Sequence, residues 1–181
     1  MKGIIILANY FEDVEALITI DILRRAKIDI DLISIEDKLE LTTQSNIKIT
    51  ADKFINEVNL SDYNFLVLPG GKAVFNTHIE SNITKKTIEH FYNNNLLIAA
   101  ICAAPIVLGK YGCLDGRNFV CFPSCEEEIH SGILNKDKRV VVDGNIITSK
   151  AAGTTFDFAY EIVKYLKGKE EAEKVIGSVY Y

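Results

Sequence analysis

Cys102 closes an apolar run, Leu96-Leu97-Ile98-Ala99-Ala100-Ile101, and is followed at once by Ala103, Ala104 and Pro105. This order reads as a buried strand that turns sharply into a helix with the cysteine at the corner. Proline suits the first helical turn, where its missing N–H is no loss, and the two alanines leave room for a tight backbone and an approaching ligand. A nucleophile at such a corner projects from the end of the sheet, and the unpaired N–H groups of the first helical turn favour negative charge beside it. Both effects point to a thiolate, the reactive form of cysteine. The competing reading is a small buried hydrophobe, the commonest fate of a free cysteine.

Two other stretches carry residue types that could cooperate with a thiol. Leu68-Pro69-Gly70-Gly71 is a glycine turn after a short apolar block, and the N–H groups of Gly71 and Ala103 together could bind an oxyanion. Glu15 opens an amphipathic segment whose acidic start (Glu12, Asp13, Glu15) and basic end (Arg24, Arg25, Lys27) complement a helix dipole. An exposed carboxylate at a helix start is the plain reading of Glu15. Placed near a thiolate, its proton affinity would rise through desolvation and the neighbouring charge, and it could hold and shuttle protons.

These stretches must be positioned by a scaffold, and the hydrophobic pattern supplies one. Apolar blocks without strict alternation recur at Gly3 to Ala8, Ile28 to Ile35, Phe65 to Leu68, Leu96 to Ile101, and Val140 to Val142 with Ile146 to Thr148, as expected of strands buried on both faces of a parallel sheet. Helical periods fall between them. Val14, Leu17, Ile18, Ile22 and Leu23 form one stripe, and further helices are expected over 82–92, 104–110, 154–166 and 169–176. Leu39 to Thr50 reads as a small antiparallel excursion turning at Gln44, Ser45 and Asn46. The pattern predicts an α/β open sandwich, a mostly parallel sheet with helices on both faces, in which ligands bind at the carboxyl ends of the strands. One domain over residues 1–181 is the expectation from length.

Composition narrows the function. A net charge of -5, with 48% hydrophobic and 25% charged residues, gives no basic footprint for nucleic acid or anionic membrane. The apolar stretch Ile4 to Ala8 is too short for a signal-peptide core, so a cytoplasmic protein with reduced cysteines is expected. Cys121, Cys125 and His130 match no standard zinc spacing and lack a fourth ligand, so no metal is expected. His78 and His130 could lie near the pocket, although surface positions are the simpler reading, and His90 reads as solvated on a helix.

The motifs taken in order, Ile6-Leu7-Ala8, Glu12-Asp13-Val14-Glu15, Asp21 to Ala26, Leu68-Pro69-Gly70-Gly71, Ala99 to Pro105 and Ala152 to Ala159, resemble the ThiJ/PfpI superfamily over almost the whole chain. Within it they are most similar to the branch containing the Parkinson-associated protein deglycase and bacterial YajL. The resemblance implies a flavodoxin-like fold, usually a homodimer, with Cys102 as nucleophile, Glu15 as its protonated carboxylic partner, and Gly71 with Ala103 as the backbone anion site. Gly70, Phe122, Pro123 and Ala152 are then expected to line the pocket. It implies cofactor-free glyoxalase III activity on methylglyoxal, or deglycation of methylglyoxal adducts, in carbonyl and oxidative stress. The alternative is a redox sensor or chaperone in which Cys102 is oxidised without turnover, and a regulatory disulfide of Cys102 with a second thiol such as Cys121 is a further possibility.

The chain departs from the family pattern in three places. Phe122-Pro123 stands where part of the family has His-Pro, so a second base is unassigned. Ala151-Ala152 replaces Gly-Pro, and Ser45 or Asn46 replaces an arginine near the dimer-side rim. Ala103 excludes the protease branch, which carries a histidine there, and no histidine follows His130 to complete an amidotransferase triad.

Overall fold

The computed structural model describes residues 1–181. In chain order the strands are β1 (Lys2–Leu7), β2 (Asp29–Ser34), β3 (Glu40–Thr42), β4 (Lys48–Thr50), β5 (Lys53–Phe54), β6 (Phe65–Leu68), β7 (Leu97–Ile101), β8 (Asn118–Phe119), β9 (Ile133–Leu134), β10 (Val140–Asp143) and β11 (Ile146–Ser149). The helices are α1 (Asp13–Arg25), α2 (Asn82–Asn93), α3 (Pro105–Lys110), α4 (Thr155–Lys167) and α5 (Lys169–Ser178). The main sheet runs β10-β11-β7-β6-β1-β2-β5, parallel throughout except for the antiparallel edge strand β10. This is the open, mostly parallel sandwich expected from the apolar blocks, in the flavodoxin-like form that the family resemblance implies.

The blocks lack alternation because both faces of the central strands are covered. Ile4, Ile5, Ile6 and Leu7 of β1 are all fully buried, as are all four residues of β6 and nearly all of β7. Each aliphatic side chain so buried contributes roughly 1.5–3 kcal/mol. Parallel register sets Leu66 beside Ile98 and Leu68 beside Ala100, so β1, β6 and β7 end close together on one rim. Every turn that leaves that rim carries a residue of interest.

Three features depart from the sequence expectation. The α1 stripe is rotated: Ala16, Thr19, Ile20, Ile22 and Leu23 are buried with Asp13 and Glu15, whereas Val14 and Leu17 lie exposed. The start of α1 is drawn toward the sheet rim, so polar residues face inward there and the apolar pair faces out. Residues Val74–His78 form a single π-helical turn, for which no periodicity was apparent. Between α3 and β10 lies a parallel pair, β8 with β9, each only two residues long. No helix is long and apolar enough to cross a membrane.

Candidate active site

The turn after β1 and the glycine turn after β6 are laced together. Glu12 donates its N–H to the Gly70 carbonyl (3.1 Å), and Phe11 forms a bridge with Gly71. Glu12 also caps α1, its Oε2 accepting the Glu15 N–H at 2.8 Å, which satisfies one of the donors left free at a helix start. This cap fixes the first turn of α1 so that Glu15 points inward. Glu15 is wholly buried, and its Oε2 accepts the Gly70 N–H at 2.8 Å. Its Oε1 has no hydrogen-bond partner.

Cys102 sits directly beyond β7 with φ of 65°, in the left-handed region that a residue with a Cβ rarely adopts. The strain is held from both sides: its N–H donates to the Ser149 carbonyl (2.9 Å), and its carbonyl accepts the Phe122 N–H (2.8 Å). Gly70 makes room for it. A Cβ on Gly70 would lie 2.7 Å from both the Cys102 Cβ and Glu15 Oε2. Gly71 has φ of 89°, and a Cβ there would stand 2.5 Å from the Glu12 N. Both glycines are required by close approach.

Above these residues opens a cleft of about 320 Å³, with Glu12, Gly71, Cys102, Ala103, Phe122 and Cys125 in its wall. Gln44, from the β3–β4 hairpin, closes one side and is held there by the Lys72 N–H on its Oε1 (3.0 Å). A larger cavity of about 780 Å³ lies at the other ends of the strands, remote from the thiol, and its wall includes the ion pairs Lys2–Asp31 and Arg24–Asp52.

The electrostatics of the site turn on one buried pair. Burial raises the Glu15 carboxyl to about 7, helped by the charge of Glu12 and opposed by the Gly70 N–H and Cys102. Burial also pushes the Cys102 thiol up, as does ionised Glu15 beside it, while the N–H groups of Ala103 and Gly71 pull it down. Two negative charges cannot be accommodated together, so ionisation of either partner holds the proton on the other. This corrects the simple expectation of a thiol made acidic by a helix start. Helix α3 has only six residues, and burial with Glu15 outweighs its N–H groups.

Glu15, Gly70, Gly71, Cys102 and Ala103 are thus brought together, Glu15 and Gly70 under the cleft and the others in its wall. Phe122 lines the cleft and is 46% exposed. Two expected lining residues are elsewhere. Pro123 faces a neighbouring cavity with Cys121, Glu126 and Lys150, because successive residues of this tight turn face apart. Ala152 begins a short turn beyond β11 that folds on itself through Thr154 Oγ1 and Ala151, and it does not line the cleft. His78 is not a surface residue: it is fully buried in the π-helical turn, with Nδ1 3.1 Å from Thr84 Oγ1 and Nε2 unpartnered. His130 is exposed and His90 half-buried against Phe91.

Sequence reasoning missed Gln44, Lys72, Phe75 and Cys125 as parts of the cleft. Glu12 carried a usable signal, since a carboxylate three residues before Glu15 has capping spacing. The others are brought in by loop paths that no periodicity encodes.

A flavodoxin-like sheet with a strained cysteine at the elbow after β7 and a buried carboxyl from α1 beside it defines a class of cysteine-elbow α/β proteins. The sequence model of the DJ-1/PfpI family matches residues 1–165, and the chain belongs to that family. It is 34% identical over 175 residues to Protein dj-1beta of Drosophila melanogaster, covering 96% of this chain and 94% of that one. Against the Parkinson disease protein 7 homolog of Danio rerio it is 32% identical over 177 residues, covering 96% and 94%. The crystal structure of Drosophila DJ-1beta superposes with a TM-score of 0.93 over 98% of this chain and 96% of that one. A DJ-1 superfamily protein from Salmonella typhimurium, solved as a cysteine-to-alanine mutant, is 30% identical with the same TM-score of 0.93, covering 99% and 98%. The Arabidopsis thaliana DJ-1 homolog B is longer, and the match spans 40% of it at 33% identity.

Proposed function

We propose that the protein is a cysteine-dependent, cofactor-free enzyme that converts methylglyoxal to lactate, or acts on methylglyoxal adducts. The observation that carries this reading is the wholly buried Glu15 carboxyl, packed with Cys102 against Gly70 beneath a cleft whose wall includes Gly71 and Ala103. At neutral pH Glu15 takes the thiol proton, and the Cys102 thiolate adds to the aldehyde carbon. The oxyanion so formed is met by the N–H groups of Gly71 and Ala103 and receives the proton from Glu15, giving a hemithioacetal. Glu15, now ionised, removes the C–H proton of the former aldehyde carbon, and the electrons move to the ketone oxygen to give an enediolate. Return of that proton to the neighbouring carbon, with the hydroxyl proton of the first carbon passing to the adjacent oxygen, leaves a lactoyl thioester, which water hydrolyses to lactate and free thiol. Phe122 transfers no protons, so Glu15 is the group that carries the proton from one substrate carbon to the other.

The reading carries two associated expectations. A reducing compartment such as the cytoplasm would keep Cys102 available. A second copy of the chain would cover Val14 and Leu17, the exposed apolar pair on α1, as in the homodimers the family resemblance implies. The rival reading, oxidation of Cys102 to a stress signal without turnover, draws on the same N–H groups.

The test is steady-state lactate formation from methylglyoxal without glutathione. Reduced wild type is expected to turn over, Cys102→Ser to fall to background, and Glu15→Gln to lose about 10²–10⁴-fold, the usual worth of a general acid–base group. Folded, reduced wild type that forms no lactate excludes the glyoxalase reading and leaves the redox role.

A further inference from the structure

Two of the four thiols, Cys102 and Cys125, share the wall of the cleft, a third, Cys121, precedes Cys125 in the same segment, and the lactate mechanism uses only Cys102. Beyond β8 the chain crosses the ends of β11 and β7, with the Val120 N–H on Thr148 Oγ1 (3.0 Å) and the Phe122 N–H on the Cys102 carbonyl (2.8 Å). The Cys125 N–H then closes a turn on the Phe122 carbonyl (3.0 Å), and Ser124 takes φ of 75° to make that turn possible. As a result Cys125 faces inward, 7% exposed, in the wall of the same cleft as Cys102. Cys121 is buried in the wall of the neighbouring cavity, with Pro123 and Glu126. Burial pushes the Cys121 thiol up to about 12, with Cys125 and Glu126 adding to it, and the Glu126 Oε2 is 4.0 Å from the Cys121 sulfur. Cys113 stands apart after α3 and is buried.

We propose that this cluster is a peroxide-reducing relay in which Cys125 resolves a sulfenic acid formed on Cys102. The Cys102 thiolate attacks the terminal oxygen of a hydroperoxide, the O–O bond breaks, and Glu15 gives its proton to the departing alkoxide, leaving Cys102–SOH and an alcohol. The Cys125 thiol attacks that sulfur, its proton leaves with the hydroxyl as water, and a Cys102–Cys125 disulfide forms. Attack by Cys121 on Cys125 moves the disulfide to Cys121–Cys125 and returns Cys102 as thiol. The sum is one hydroperoxide and two thiols consumed for one alcohol, one water and one disulfide, which an external dithiol then reduces. A thiol held in the same cleft competes with a second peroxide at an effective concentration in the millimolar range or above, so resolution outruns oxidation to the sulfinate. The proposal rests on the same Cys102–Glu15 pair as the glyoxalase reading but needs two further sulfurs.

The experiment treats the fully reduced protein with one equivalent of hydrogen peroxide, blocks free thiols with iodoacetamide and maps the products by peptide mass spectrometry. Wild type is expected to lose two hydrogens, with Cys125 joined to Cys102 or Cys121, and Cys121→Ser to stop at Cys102–Cys125. Cys102→Ser is expected to form no disulfide. Cys125→Ala, which keeps the position apolar, is expected to gain oxygens on Cys102, with at least tenfold more sulfinate than wild type. Wild type that gains two oxygens on Cys102 as fast as Cys125→Ala overturns the relay, and so does a Cys121–Cys125 disulfide that persists in Cys102→Ser. The wild-type result does not depend on any variant folding. Lactate formation without a disulfide removes only the relay, whereas a disulfide without lactate removes only the glyoxalase.

Discussion

Two buried-side carboxylates at opposite ends of the same parallel strands meet opposite fates. At the amino ends, burial alone would raise Asp31, but Lys2 (2.8 Å), Lys53 (2.7 Å) and the Tyr63 hydroxyl (2.7 Å) overcome it and hold the carboxyl at about 2. At the carboxyl ends, Glu15 has no cation, only the Gly70 N–H and the sulfur of Cys102, and burial raises it to about 7. Asp31 is permanently charged and gives the strand ends a fixed anchor. Glu15 exchanges a proton near neutrality, which is the property a proton carrier needs. The larger cavity lies beside Asp31, whose charge is paired, whereas the buried carboxyl beneath the smaller cleft has no cation.

The contrast has a thermodynamic signature. Glu15 titrates at about 7 folded against 4.5 for a free carboxyl, so the folded state binds more protons and its stability falls as pH rises from about 4.5 through 7, by roughly 3 kcal/mol. Glu15→Gln, which still accepts from Gly70, is expected to lose activity while gaining up to that amount of stability at pH 8, as read by urea unfolding. Its thiol should also titrate more simply. Wild-type Cys102 alkylation should follow two coupled ionisations across the pH range, and Glu15→Gln should reduce them to one. Equal pH profiles for the two proteins would break the contrast.

His78 supplies a slope of opposite sign. Burial lowers it to about 4 from 6.5, so the unfolded chain binds the extra proton and stability rises as pH increases from about 4 to 6.5, by roughly 3 kcal/mol at most. Between pH 4.5 and 6.5 the Glu15 and His78 slopes oppose each other, and the wild-type stability profile is expected to be nearly flat there. His78→Asn, which can keep the bond to Thr84, should leave stability falling with pH, and Glu15→Gln should leave it rising. A slope unchanged in both variants would show that neither group titrates as its surroundings dictate.

What the sequence revealed and what it hid divide along the same physical line. The central strands were legible because burial on both faces leaves continuous apolar blocks, and the elbow because alanines and proline after Cys102 admit few other backbones. Glu15 and the Gly70-Gly71 turn followed from strand order, since turns at the carboxyl ends of neighbouring parallel strands must converge. The rest depended on contacts of long sequence separation. Nothing local in Lys72-Ala73-Val74-Phe75 announces a π-helical turn, and the inward face of Cys125 arises from a left-handed Ser124 and a hydrogen bond back to Cys102. The outward face of Val14 and Leu17 was hidden because an apolar stripe read by period alone does not say which side meets the sheet.

The smallest effect is expected where charge is already satisfied. Asp31 is depressed to about 2 against 3.8, so its contribution is fully present above about pH 4 and is lost as pH falls through 2. Its lysine partners are more than one-third exposed, at 37% and 41%, and solvent screens them, so Asp31→Asn should cost about 1–2 kcal/mol at pH 7 rather than the full shift. The substitution should leave lactate formation, sulfenic acid resolution and the alkylation profile of Cys102 unchanged, because no chemistry passes through the amino ends of the strands. Added salt should weaken the wild type toward the variant, as screening of half-exposed lysines requires. If Asp31→Asn instead altered Cys102 reactivity, the two ends of the sheet would be electrostatically coupled, and the division of one rim for anchoring and the other for proton transfer would fail.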